Sequence, residues 1–192
     1  MKERLKNLYQ SGELAPARLL SAVAKGWVTV ADVVEIVGEK NATDVILSAK
    51  LAEISAACNA AIVAGVDVQL GEETEHFNLS IEDQSNIANL FRVVELGGTE
   101  FPYQADGGKC RIYTAQEIAQ IYIAAQTAIT SQTTYHNALK AYVQSLTNVE
   151  KISAVTYGMN LPKKFKDEMN AKLAVAQAQM EAIVTRMNGQ EG

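Results

Sequence analysis

From Thr114 to about Leu146 nothing in the sequence breaks a helix. The stretch holds no Pro and no Gly, and Thr114 with Glu117 three residues on makes a capping box at its start. Roughly 32 residues at 1.5 Å each give a rod of ~48 Å. Steps of 3.5 from Ile118 land on Tyr122, Ala125, Ile129, Gln132, His136, Leu139, Val143 and Leu146. This is a coiled-coil-like seam with two polar residues in its middle. A second apolar stripe, Ile121, Ala128, Tyr135 and Tyr142, runs beside it. A helix that long, apolar on two sides, in a chain of 192 residues needs neighbours on more than one face. The expectation is a mainly α fold with long C-terminal helices, elongated and oligomeric, with Ile118, Tyr122, Ile129, Gln132, His136, Leu139 and Val143 as the oligomer seam. Gln132 and His136 fit either partly satisfied polar positions or a pair that sets register at a helix interface.

After it, "NVEKISAVTYG" reads as a short helix ended by Gly158, and Pro162 opens a last helix running to about Met187. Its seam is Phe165, Met169, Leu173, Ala176, Met180, Ile183 and Met187, a soft and adaptable face because methionine is unbranched and polarizable. The terminal "NGQEG" is expected to be mobile.

The N-terminal part reads as short helices: "KERLKNLYQ", then "APARLLSAVAKG" with Pro16 in the first turn, then "TVADVVEIVGE" with a Thr29/Asp32 cap and Gly38 at its end. A DNA-reading helix-turn-helix needs basic and amide side chains on its second helix; "VADVVEIVG" carries two acids and no Lys or Arg. Asn41 is placed to cap a longer helix whose apolar face is Val45, Leu47, Leu51, Ile54, Cys58, Ile62 and Val63, closed by Gly65. Cys58 on that face is a small core hydrophobe.

The period then changes from 3.6 to 2. "VDVQL" and "EHFNL" flank "GEETE" as a hairpin, with His76 on the face opposite Phe77 and Leu79. Ser80 and Asp83 cap a helix whose inner positions are Ile81, Ile87 or Ala88, Phe91 and Val94, and Gly97-Gly98 ends it. "EFPYQADGGKCRIYT" is a second hairpin turning at Asp106-Gly107-Gly108, with Pro102 at an edge or at a strand start. The two hairpins together would make one small antiparallel sheet.

Charge is uneven. Residues 66–113 carry nine Asp/Glu against three Lys/Arg, while the flanking parts are near neutral. No dense basic face exists to displace counterions from a phosphate backbone, so nucleic acid is not an expected partner. No apolar run follows a basic start, so no signal peptide is expected. The longest apolar run, "AACNAAIVAGV", is short for a bilayer, so no membrane partner is expected. Cys58, His76, Cys110 and His136 are zinc-binding types at no known short zinc spacing. Glu72, Glu73, Glu75, Asp67 and Asp83 lack the pattern of a calcium loop and read as an acidic solvated turn, or a face for a basic partner. No Gly-x-Ser-x-Gly, Walker loop or His-Glu-x-x-His is present. The chain is read as no enzyme, with no cofactor and no metal.

Two segments carry a resemblance. "LLSAVAKGWVTVADVVEIVGE", residues 19–39, resembles the short XkdX-like segment of tail-region proteins of phages, through Lys25-Gly26-Trp27-Val28-Thr29 and Glu35-Ile36-Val37-Gly38-Glu39. About residues 50–162 resemble an uncharacterised phage domain of tail-fibre and baseplate proteins. The matching passages are "ISAACNAAIVAGVDVQLG", "EHFNLSIEDQSNI" and "YQADGGKCRIYTAQE", followed by a long helix. Its signature is matched by His76, Leu79, Asp83, Gln84 and Asn86.

The resemblance implies a virion component of the tail tip or baseplate, assembled in the bacterial cytoplasm. It would be an adaptor joining a fibre or receptor-binding protein to the tail, with other tail proteins as partners and a homo-oligomer, most simply a trimer. The alternative is a non-virion tail-assembly chaperone using the Met-rich face of the last helix. Three segments follow: 1–40 helical, 41–160 central α+β with two hairpins and the long helix, and 161–192 a C-terminal helix.

Overall fold

The computed structural model describes residues 1–188. It is mainly α with two small β-hairpins. In order, the elements are α1 (Lys2–Gln10), α2 (Pro16–Ala24), α3 (Val30–Val37), α4 (Glu39–Val63), β1 (Val66–Leu70), β2 (Glu73–Phe77), α5 (Ile81–Glu95), β3 (Glu100–Tyr103), β4 (Arg111–Thr114), α6 (Ala115–Gln144), α7 (Val149–Ala154) and α8 (Lys163–Asn188). The mobile end expected at "NGQEG" falls, past Asn188, outside the described residues.

Two compact units make up the chain. One combines Met1–Cys58 with Tyr135–Glu168, the other Asn59–Thr134 with Met169–Gly192. They are therefore not the three consecutive segments expected from the sequence. Each unit is assembled from two stretches, because long helices pair residues far apart in sequence.

In the first unit, Pro16 sits at the start of α2 and the Thr29/Asp32 box caps α3. Lys2 pairs with both Asp32 and Glu35. Helix α4 begins at Glu39, directly after Gly38, so Asn41 is inside it and not its cap. Its buried stripe is Ala42, Ile46, Ala49, Ile54 and Cys58, one position out of phase at its start from the expected Val45 and Leu47, which are half-buried. Small alanines let neighbours approach closely there, so the narrow face wins over the bulkier one.

At 25 residues α4 is long and apolar enough by composition to cross a membrane, which the run "AACNAAIVAGV" alone concealed. It also carries Lys50, 4% exposed, whose ammonium donates to Val155 O at 2.8 Å and to Glu53 Oε1 at 2.9 Å. Tyr135 donates to Met159 O at 2.8 Å, and its ring meets Tyr157 edge-on at 5.1 Å. Burial and a hydrogen bond with Cys58 raise the Tyr157 phenol.

In the second unit, β1 and β2 pair antiparallel with Val66 opposite Phe77 and Leu70 opposite Glu73. The loop is therefore two residues, Gly71 and Glu72, and β2 lies two residues earlier than "EHFNL". Gly71 has φ +64°, the positive φ that a tight hairpin asks of its first loop residue. The second hairpin pairs Phe101 with Tyr113 and Tyr103 with Arg111. The hairpins form two separate sheets and not one.

Ser80 and Asp83 cap α5 reciprocally. Ile87 and Phe91 are buried, whereas Ile81 is exposed, because the first turn of α5 projects beyond the core. The core gathers Val68, Leu70, Phe77, Leu79, Ile87, Phe91, Phe101 and Tyr113 against Ile118, Ile121 and Ala125 of α6. Phe91 stacks on Tyr122 at 4.1 Å between ring centroids.

The helix seams come out differently. On α8, Phe165, Met169, Leu173, Ala176, Met180, Ile183 and Met187 are the half-buried positions and the rest of the described side chains are exposed. On α6, Ile118, Leu139 and Val143 are at most 1% exposed within a single chain. These three are filled by the chain's own core and offer nothing to a second copy, which corrects the oligomer seam. Tyr122, Ile129, Gln132 and His136 are half-buried.

Candidate functional site

A dense polar constellation lies where the two hairpins meet. Alternation puts Val66, Val68 and Leu70 on one face of β1; register puts Phe77, Glu75 and Glu73 opposite them on β2. Glu75 thus enters the side that packs inward, and its side chain is only 14% exposed. Arg111 at the start of β4 answers it, donating through Nε at 3.0 Å and Nη2 at 2.6 Å to Glu75 Oε1. The same Nη2 reaches Glu117 Oε1 of α6 at 2.9 Å. Tyr113 donates its hydroxyl to Glu75 Oε2, and the guanidinium lies 3.6 Å above the Tyr113 ring. One cation therefore ties β2, β4 and the first turn of α6 together, flat on an aromatic face.

The titration shifts follow from this geometry. Burial pulls the Arg111 guanidinium down, but Glu117 and Glu75 outweigh it and hold it above its usual value. Burial, then the bond to Glu75, pushes the Tyr113 phenol up to about 12. Burial would raise the Glu117 carboxyl; the Thr114 amide and Arg111 reverse this and hold it below the usual range. For Arg111, Tyr113 and Glu117 the shift in each case moves the group further from titration near pH 7. The arrangement is that of a clamp between two hairpins and a helix.

Asp106 completes the junction. Its backbone N–H donates to His76 O at 2.9 Å, and its carboxylate accepts from Asn78 N–H. The open cleft between β2 and the Asp106–Lys109 turn has a volume of about 540 Å³ and is lined by Glu73, Glu75, His76, Asp106, Lys109 and Arg111, among others.

The sequence signature residues are distributed around this junction. His76 lies on the outer face of β2, its Nδ1 2.7 Å from Asp67 Oδ1. Leu79 is fully buried. Asp83 caps α5, and Gln84 Nε2 donates to Leu79 O at 2.8 Å, holding the strand exit to the helix. Asn86 is on the exposed side of α5. Glu75, grouped in the sequence with a solvated acidic turn, is instead internal, while Glu72 and Glu73 are exposed as expected.

Sequence reasoning missed Arg111 and Tyr113 as partners of Glu75, and Glu117 as the second acceptor of Arg111. The available signal was that Arg111 is one of only three basic residues among nine acids in 66–113. Among the described residues, no three His, Cys, Asp or Glu side chains converge on a point that could hold a metal.

Within the same unit, α6 and α8 leave an apolar groove of about 400 Å³, lined by Ile123, Thr127, Leu173, Ala176, Met180 and Val184, among others.

A family described as Domain of unknown function (DUF4376) matches residues 46–157, more than half of the chain. The chain belongs to that family. The DUF4376 match takes in α4 from Ile46 onward, both hairpins, α5, α6 and α7, and so contains the whole Glu75–Arg111 clamp. The segments outside it are α1 to α3 and α8. No curated protein and no solved structure matches the chain significantly.

Proposed function

We propose that this protein is a structural component of a phage tail tip or baseplate, an adaptor that links a fibre or receptor-binding protein to the tail. The sequence resemblance at residues 19–39 and 50–162 motivates the reading. The observation that carries it is how the signature residues are used. Leu79 is core, Asp83 is a helix cap and Gln84 holds a backbone carbonyl. Those three side chains serve internal order, as a part built for assembly requires, and the adjoining clamp pairs its charges with one another.

A second reading is favoured by the α6–α8 groove. A Met-containing, apolar, partly open channel suits transient grip on a client's apolar segment, as in a tail-assembly chaperone that leaves before the particle is complete. Mass spectrometry of purified particles separates the two. The adaptor reading expects this chain at a fixed copy number per particle. Its absence from particles, with co-purification of free tail proteins from lysate, would overturn the adaptor in favour of the chaperone.

A further inference from the structure

The four strands manage their outer edges in different ways. In an antiparallel pair, alternate residues turn N–H and C=O toward the partner strand and the ones between turn them outward. The two-residue Gly71-Glu72 loop makes Leu70 and Glu73 the closing bonded pair, so Val68 with Glu75 and Val66 with Phe77 are bonded pairs too. The residues that turn outward are then Thr74 and His76 on β2 and Asp67 and Gln69 on β1.

On β2, His76 O accepts from the Asp106 N–H and Asn78 N–H donates to the Asp106 carboxylate. On β3, Pro102 has no N–H to offer. On β4, Ile112 O accepts from Arg111 Nη1 at 3.3 Å and Thr114 N–H donates to Glu117 Oε2 at 2.8 Å. Each of these three edges is blunted at one or more of its outward positions; on β2, the Thr74 backbone stays open among the described residues. On β1, among the described residues, no group bonds the N–H or C=O of Asp67 or Gln69. Both residues are exposed, and the strand has no Pro, Lys or bulge to guard it.

We infer that β1 pairs with β1 of a second copy of this chain, antiparallel about a two-fold axis at Val68, joining the two β1–β2 hairpins into one four-stranded sheet. The pairing is self-complementary. Centring on Val68 sets Asp67 opposite Gln69 of the other copy, and these are the residues whose outward groups exchange backbone bonds. Side by side they place a carboxylate against an amide. Gln69 Nε2 gives one hydrogen to Gly71 O at 2.9 Å and keeps its second for that carboxylate. Val68 meets Val68 and Val66 meets Leu70 on the apolar face, continuing the core stripe. A register centred on Asp67 would set like charges opposite each other. The two-fold contact is an alternative to the trimer that the resemblance implies, and it does not depend on the adaptor reading.

The test is sedimentation velocity of the full chain across a concentration series, with circular dichroism to confirm that variants are folded. A dimer is expected. Gln69→Glu sets two carboxylates together at each pair and weakens it at least tenfold. Gln69→Lys sets an ammonium against Asp67 and leaves it equal or tighter, where an edge contact without this register would be weakened by both. In a Cys110→Ser background, Val68→Cys is expected to form an intermolecular disulfide in the folded protein. A chain that stays monomeric at every concentration overturns the inference, as does a dimer indifferent to both Gln69 changes or one that does not trap through position 68.

Discussion

Glu75 and Arg111, thirty-six residues apart in sequence, share two hydrogen bonds at 3.0 and 2.6 Å across the junction of two separate hairpins. Neither two-stranded sheet has enough core of its own to stand alone in water. The charge-assisted contact, with Tyr113 and Glu117 on its flanks, fixes one hairpin against the other and both against α6.

Removing the carboxylate leaves Arg111 with Glu117 as its one carboxylate partner and the Tyr113 hydroxyl without its acceptor. Glu75→Ala is expected to lower stability by about 2–3 kcal/mol, the range for stranding partly buried charged and hydroxyl groups. Urea unfolding followed by circular dichroism reads this. A loss below about 0.5 kcal/mol would mean that the contact behaves like an exposed surface pair.

Gly65 joins α4 to β1 at φ +82°, and a Cβ there would lie 2.3 Å from Phe77 O. The clash is with backbone, so no side-chain adjustment relieves it. Gly65→Ala is expected to destabilise the fold by roughly 3 kcal/mol or more, combining left-handed strain with displacement of β2. Gly71→Ala has a positive φ but open space around it, and should cost roughly 1–2 kcal/mol. Comparing the two melting curves separates strain from collision.

Lys50 satisfies the Val155 carbonyl beyond the end of α7 from inside the core. Lys50→Ala should cost about 2–3 kcal/mol, since the carbonyl loses its donor and the aliphatic stem its packing. Lys50→Met keeps the stem and should recover about 1 kcal/mol of that loss. Equal losses from the two variants would show that the hydrogen bond outweighs the stem.

His76 is held above its ordinary value of 6.5, first by the hydrogen bond to Asp67. A raised folded value means that the imidazolium is favoured in the folded state. Its contribution is full below pH 6.5 and is lost as pH rises through the higher folded value. The pair is exposed, so the effect on stability is small. Nuclear magnetic resonance titration should place the His76 midpoint above 6.5 and return it toward 6.5 in Asp67→Asn; an unmoved midpoint would rule out Asp67 as the cause.

The local signals were legible because they act within a few residues. Thr29/Asp32, Ser80/Asp83 and Thr114/Glu117 each close a reciprocal cap, and the apolar period of α8 marks its half-buried face from Phe165 to Met187. The change of period at Val66 and the Asp106-Gly107-Gly108 turn announced the hairpins, with β2 two residues early because Gly71 alone supplies the positive φ that a two-residue loop needs.

Hydropathy alone could not tell an outward seam from an inward one. Ile118, Leu139 and Val143 carry the same pattern whether they face a second copy or the chain's own core, and only the packing of distant segments decided for the core. The same holds for Glu75, whose place in an acidic run suggested solvent until register aimed it at Arg111. By itself the sequence determined which segments are helix or strand and the starts of the helices with reciprocal caps, because propensity, caps and turns are short-range physics. The tertiary structure decided the two separate sheets, the Glu75–Arg111 clamp and the open edge of β1, because each depends on which distant segments are brought together.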